Sequence, residues 1–173
     1  MFLGLVSLQS ILYKMQTGHY LLYSYGDESF NFSKPEIINF LISYRKGFFL
    51  YTPIALLSIF GFRTLYRENK YRAIVLSLFL LFITYVFSSW WSWWYGGSFS
   101  TRVLLEYSLF VFLPLAVLLN DSTAKIRRRL TILMVVLTLF SQVQIYQFRH
   151  GQIHYSDMTK ELYWKNFLRI DKL

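Results

Sequence analysis

From Ala73 to Ser89 the chain carries no charged side chain, and the run closes on Trp90-Trp91-Ser92-Trp93-Trp94-Tyr95, a Gly96-Gly97 turn and then Arg102. Such a stretch needs either a very large core or a bilayer to hide it. Residues 79–87 have almost no polar face, whereas a helix packed on a soluble core shows one. Tryptophan and tyrosine gather where hydrocarbon meets water, because each ring joins an apolar body to a polar edge. The pattern therefore reads as a helix leaving a membrane, a tight turn, and a return that carries a cation to the lip of the bilayer.

Composition agrees. Of 173 residues, 55% are hydrophobic, 21% aromatic and only 16% charged, with a mean hydropathy of +0.36; soluble domains carry about 25% charged residues. There is no cysteine, which removes disulfides, thiolate nucleophiles and Cys-ligated zinc. The net charge of +9 sits in short loops between apolar runs, so acidic phospholipid is the expected partner and nucleic acid is not. The first residues lack the basic n-region and cleavage pattern of a signal peptide.

The apolar runs predict an all-α polytopic bundle of about five spans, near 1–13, 47–66, 73–95, 103–119 and 130–148. An outward loop is expected over 14–46 and an outward tail over 149–173. Arg63, Arg67, Lys70 and Arg72 separate spans two and three; Lys125, Arg127, Arg128 and Arg129 separate spans four and five. The positive-inside rule places both clusters, and the N-terminus, in the cytoplasm. Basic residues in the tail pull mildly the other way. A short surface helix is expected after Ser33-Lys34-Pro35, and a second over 158–169, capped by Asp157.

Several side chains carry candidate chemistry. Arg102 can grip a phosphate bidentately, and Glu106, the acid inside a predicted span, lies one helical turn away, where an i,i+4 ion pair would neutralise both. Arg45 and Lys46 precede the second span and either steer a phosphate or anchor the interface. Trp94 and Tyr95 offer faces to a sugar or an isoprenoid tail beside their anchoring role. Asp27 and Glu28 are adjacent carboxylates in the outward loop, where solvation competes with a role toward a sugar or divalent cation. His150 and His154 have helical metal-ligand spacing, but Gly151 interrupts them and no third ligand is assured. No Ser-His-Asp pattern, P-loop or nucleotide fingerprint is present.

Taken in order, several blocks resemble the C-terminal part of bacterial GT-C membrane glycosyltransferases, family 39, relatives of the dolichyl-phosphate-mannose-protein mannosyltransferases. The blocks are Tyr25-Gly26-Asp27-Glu28-Ser29-Phe30-Asn31-Phe32, Arg45-Lys46-Gly47-Phe48-Phe49-Leu50-Tyr51-Thr52-Pro53, Trp90 through Arg102 with Pro114-Leu115-Ala116, and Gln144-Ile145-Tyr146-Gln147-Phe148-Arg149-His150-Gly151 with Met158-Thr159-Lys160 and Tyr163-Trp164. The resemblance implies transfer of a sugar from a polyprenyl-phosphate donor to a glycan, lipid or protein acceptor, at the outer face of the bacterial cytoplasmic membrane. It implies Arg102 as a donor-phosphate contact and Trp94 and Tyr95 as walls of the site. The family's catalytic acid belongs to an earlier outward loop, expected upstream of this chain, so no catalytic residue is assigned here. The competing expectation is a non-catalytic integral membrane protein, either an accessory subunit or a remnant. A transporter is a weaker third, since Pro114 and scattered hydroxyls are the main interruptions in these spans.

Overall fold

A computed structural model of the chain describes residues 2–20 and 28–171, with side chains from Ser7 onward. The described residues are helical, with one isolated bridge between Phe30 and Trp90 and no extended sheet. In order they form α1 (Phe2–Thr17), α2 (Ile37–Ile42), α3 (Phe48–Tyr51), α4 (Ala55–Glu68), α5 (Lys70–Ser88), a 3-10 turn (Arg102–Leu104), α6 (Ser108–Asp121), α7 (Ala124–Arg149) and α8 (Lys160–Lys165).

The centre of the molecule is the pairing of α4 with α6. The helices run parallel: Ala55 and Ser58 lie near Val111, Gly61 meets Pro114, and Leu65 packs on the side of Val117. A Cβ placed on Gly61 would lie 2.1 Å from the Pro114 carbonyl oxygen, so glycine is what lets the two backbones approach. α5 returns antiparallel, with Ala73 and Leu76 beside Leu65 and Thr84 near the other end of α4. Asn69 caps it by accepting from the Arg72 amide at 3.0 Å. α7 folds back from α6 through residues 122–123, so that Thr138, Ser141 and Ile145 face the start of α6. Consequently the α4–α5 and α6–α7 turns share one end, where Arg63, Arg67, Lys70, Arg72, Lys125, Arg127, Arg128 and Arg129 are all exposed. α2, α3, the tryptophan turn and the tail share the other.

Two helices, α5 with 19 residues and α7 with 26, are long and apolar enough to cross a membrane. At 1.5 Å per residue they extend about 28 and 39 Å, against a hydrocarbon core of about 30 Å. Only 22% and 11% of their most apolar windows are buried. Ile74, Leu78, Leu81, Phe82, Ile132, Val136 and Leu139 stand exposed, a surface that suits hydrocarbon and not water.

The other predicted spans differ from expectation. The run 47–66 is two helices, because Pro53 follows Thr52, whose φ of −131° and ψ of 62° end α3; α4 alone has 14 residues. The helix predicted over 73–95 stops at Ser88. There Ser88 and Ser89 hydroxyls donate back to the Tyr85 carbonyl at 3.1 and 2.6 Å, and the amides of Asn31 and Glu36 take the carbonyls of Ser89 and Ser88. The tryptophans therefore lie in a turn, not on a helix. The run 103–119 begins as a 3-10 turn, and α6 starts only at Ser108, leaving 14 residues. α1 has 16 residues, with Leu8, Ile11, Leu12 and Met15 exposed.

Both expected surface helices are shorter than predicted. α2 starts after Glu36 and buries Phe40 completely while Ile38 and Ile42 stay exposed. In the tail the cap is Thr159, which accepts from the Leu162 amide at 3.3 Å, and not Asp157. α8 packs through Tyr163 on Tyr51 and Tyr44. Glutamines of α7 hold this tail: Gln144 donates to the Tyr163 hydroxyl at 2.9 Å, and Gln147 donates to the Asn166 and Arg169 carbonyls at 2.5 and 3.0 Å.

Candidate functional site

The site lies where the turn between α2 and α3 meets residues 96–102. That first turn is tight: a Cβ on Gly47 would fall 2.4 Å from the Ile42 carbonyl carbon, and the Gly47 amide donates to Ser43 at 2.8 Å. It drives Lys46 inward until its side chain is 1% exposed. The Lys46 ammonium donates to the Gly96 carbonyl at 2.8 Å, to the Ser98 carbonyl, and to the Ser98 hydroxyl at 3.3 Å. Thr101 closes the arrangement from the facing segment, its hydroxyl directed at the Lys46 and Phe40 carbonyls at 2.7 and 3.3 Å. Burial, with Arg102 and Arg45 nearby, lowers the Lys46 pKa to about 8. The staple holds a backbone that is costly by itself: Tyr95 and Ser100 sit at φ 51° and 52°, a region that costs a non-glycine residue roughly 1–3 kcal/mol.

Around this staple the predicted residues separate by role. Lys46 is occupied, so it is a structural cation and not a free phosphate ligand. Tyr95 is half-buried, and its hydroxyl donates to the Phe87 carbonyl at 3.0 Å, which ties the turn to the end of α5. Trp93 is in the core beside Phe40 and Leu104, while Trp91 is half exposed. Trp94 lies between them, edge-on to both rings at 6.3 and 5.8 Å, and the Arg45 guanidinium lies 3.6 Å from its ring centre. Arg45 is half-buried, its Nε has no acceptor, and burial lowers its pKa against the pull of Asp157.

Arg102 is exposed at the mouth of a groove of about 340 Å³ between α3, α6 and α7. The groove wall is mainly apolar, formed by Phe48, Tyr51, Phe99, Leu105, Phe112 and Ile145, with the hydroxyls of Thr52, Ser108, Thr138 and Ser141 along it. Ser100, more than nine-tenths buried, also lines it, and its hydroxyl has no partner. The exposed guanidinium of Arg102 thus adjoins a wall that is mainly apolar, a pairing suited to an anion that carries an apolar tail.

Other expectations are not met by the geometry. Glu106 is exposed and forms no ion pair with Arg102, because residues 102–107 are a 3-10 turn and a bend in which four residues do not span one α-helical turn. His150 ends α7 with Nδ1 2.8 Å from the Tyr146 carbonyl, whereas His154 lies beyond the helix, its Nδ1 accepting from the Ser156 and Asp157 amides at 3.2 and 3.0 Å. Among the described residues, no group of three His, Asp or Glu is placed to hold a metal. Glu28 opens the segment that covers Trp90; Asp27 lies outside the described residues.

The sequence reading missed Ser100, Thr101 and the α7 hydroxyls Thr138 and Ser141. The last two were detectable, being small polar residues three apart inside an apolar helix. Ser100 gave no local signal, since its significance comes from a left-handed backbone that only the folded hairpin imposes. No protein-family model matches the chain, and no curated protein or solved structure is detectably similar to it.

Proposed function

We propose that this chain is the membrane-embedded, C-terminal portion of a GT-C glycosyltransferase, moving a sugar from a polyprenyl-phosphate donor to an acceptor at the outer face of the bacterial cytoplasmic membrane. The observation that carries the reading is the apolar groove with the exposed Arg102 on its lining. An isoprenoid tail suits the groove wall, and the guanidinium suits the phosphate. As the acceptor hydroxyl attacks the anomeric carbon, the bond to the lipid phosphate breaks and negative charge gathers on the leaving oxygen. Arg102, set beside that oxygen, would offset the charge most in the transition state, which is where stabilisation accelerates the step. The proton of the attacking hydroxyl goes to a carboxylate, which the resemblance assigns to an outward loop ahead of this chain. The bundle is read as five spans, with the basic end cytoplasmic and the tryptophan end outward. α1, α4 and α6 are then short spans, flanked by interfacial turns.

Arg102→Ala in the intact protein is expected to lower turnover by about a hundredfold or more while leaving membrane insertion unchanged. Turnover would be followed by mass spectrometry of glycolipids and glycoproteins. Undiminished turnover would remove Arg102 from the chemistry. A second reading, a non-catalytic accessory subunit, is favoured by one observation: among the described residues no carboxylate lines the groove. Copurification of an intact active enzyme from which this chain can be removed without loss of turnover would decide for it.

A further inference from the structure

The end of the molecule opposite the groove carries an unusual surface. Lys125, Arg128, Arg129 and Ile132 are spaced i, i+3, i+4, i+7 on α7, so they share one face, and with Ala124 they line a shallow bay of about 530 Å³. All three cations are exposed. Glu68 and Asp121 lie at this same end, yet among the described residues neither comes within ion-pair distance of any cation there. Below the bay the same face continues as Ile132, Val135, Val136 and Leu139, each more than half exposed. Three cations above an apolar strip about 10 Å long have the outline of a phospholipid, with its headgroup at the water boundary and its acyl chain against the helix.

We infer that this face of α7 is a binding site for one acidic glycerophospholipid. Lys125, Arg128 and Arg129 surround the phosphodiester, and Ile132, Val136 and Leu139 support an acyl chain. The inference rests on the membrane reading of α7 but not on glycosyl transfer. Charge complementarity chooses the occupant: a zwitterionic lipid brings a fourth cation into a bay already holding three, whereas an acidic lipid such as phosphatidylglycerol brings none. Arg127, on another face of the helix, is left to general electrostatic attraction.

The test uses the full chain in bilayers of phosphatidylcholine doped with phosphatidylglycerol, released for native mass spectrometry to count retained acidic lipid. One variant replaces Lys125, Arg128 and Arg129 with Gln; a control replaces Arg63, Arg67 and Arg72 with Gln, removing equal charge from the same end. The α7 variant is expected to bind phosphatidylglycerol about a hundredfold more weakly, and the control to remain within a few-fold of wild type. Equal loss in both variants would show diffuse attraction and overturn the site, as would no retained acidic lipid on wild type. Failure to insert into pure phosphatidylcholine would instead strike the membrane reading itself. Insertion with undiminished retention by the α7 variant strikes only the site.

Discussion

Replacing Gly61 with Ala tests the central helix pair most directly. The new Cβ would lie 2.1 Å from the Pro114 oxygen and 2.4 Å from its carbonyl carbon. Carbon and oxygen rest no closer than about 3.3 Å, so α4 and α6 must part by roughly 1.2 Å. Both clashing atoms are backbone, and neither can swing aside as a side-chain tip would. Overpacking of this kind costs about 3 kcal/mol, and a gap near 1 Å forfeits a quarter to a half of the dispersion energy along the seam. Alanine returns about 1 kcal/mol through its better helix propensity, leaving a net loss of about 2 kcal/mol. For a chain of this size that lowers Tm by roughly 4–8 °C. The assay is a thermal melt of the purified protein in a single detergent, beside Gly97→Ala, whose Cβ would meet nothing within 4 Å. If Gly61→Ala melts with or above wild type while both variants retain their helix content, the parallel α4–α6 contact is wrong.

Lys46 supplies a pH signature. Its folded pKa lies near 8, below the unfolded value of 10.5, so between those values the unfolded chain holds more protons and stability rises with pH. That rise, followed by Tm from pH 8 to 10.5, is expected in wild type and absent in Lys46→Met; parallel profiles would refute the assignment. Tyr163→Phe removes the acceptor that Gln144 uses at 2.9 Å, leaving a buried amide with the Leu50 carbonyl at 3.4 Å. The loss of about 1–3 kcal/mol falls on the tail, so limited proteolysis beyond Phe148 is expected to speed up roughly tenfold or more, and an unchanged rate would show that Gln144 is not the latch.

The helical class and the common end of the two basic loops were legible because both follow from where charge interrupts apolar runs. Helix ends were less so. Nothing within 73–95 announces a stop at Ser88; it is imposed by residues 28–36, which take up the terminal carbonyls from across the chain. Likewise Arg102 and Glu106 read as an i,i+4 pair only on the assumption of a helix, and the Lys46–Thr101 staple is what draws the chain into a tighter turn there. The neighbouring cations Arg45 and Lys46 show the same limit. Arg45 and Lys46 are adjacent and chemically alike, yet one stacks on Trp94 and the other is buried beneath carbonyls. A linear pattern cannot separate them, since the difference arises from a glycine at 47 and a hairpin fifty residues later.

The parallel course of α4 and α6 has a consequence for how the protein is made. Neighbouring antiparallel helices can join as soon as the second emerges, but Gly61 has no mate until Pro114 has been synthesised. During that interval the small-residue seam of α4 is open to any passing partner, including the wrong helix of another copy. Slow elongation across the intervening segment lengthens the exposure, and chaperone or insertase contact would be felt most strongly by nascent chains halted between the two.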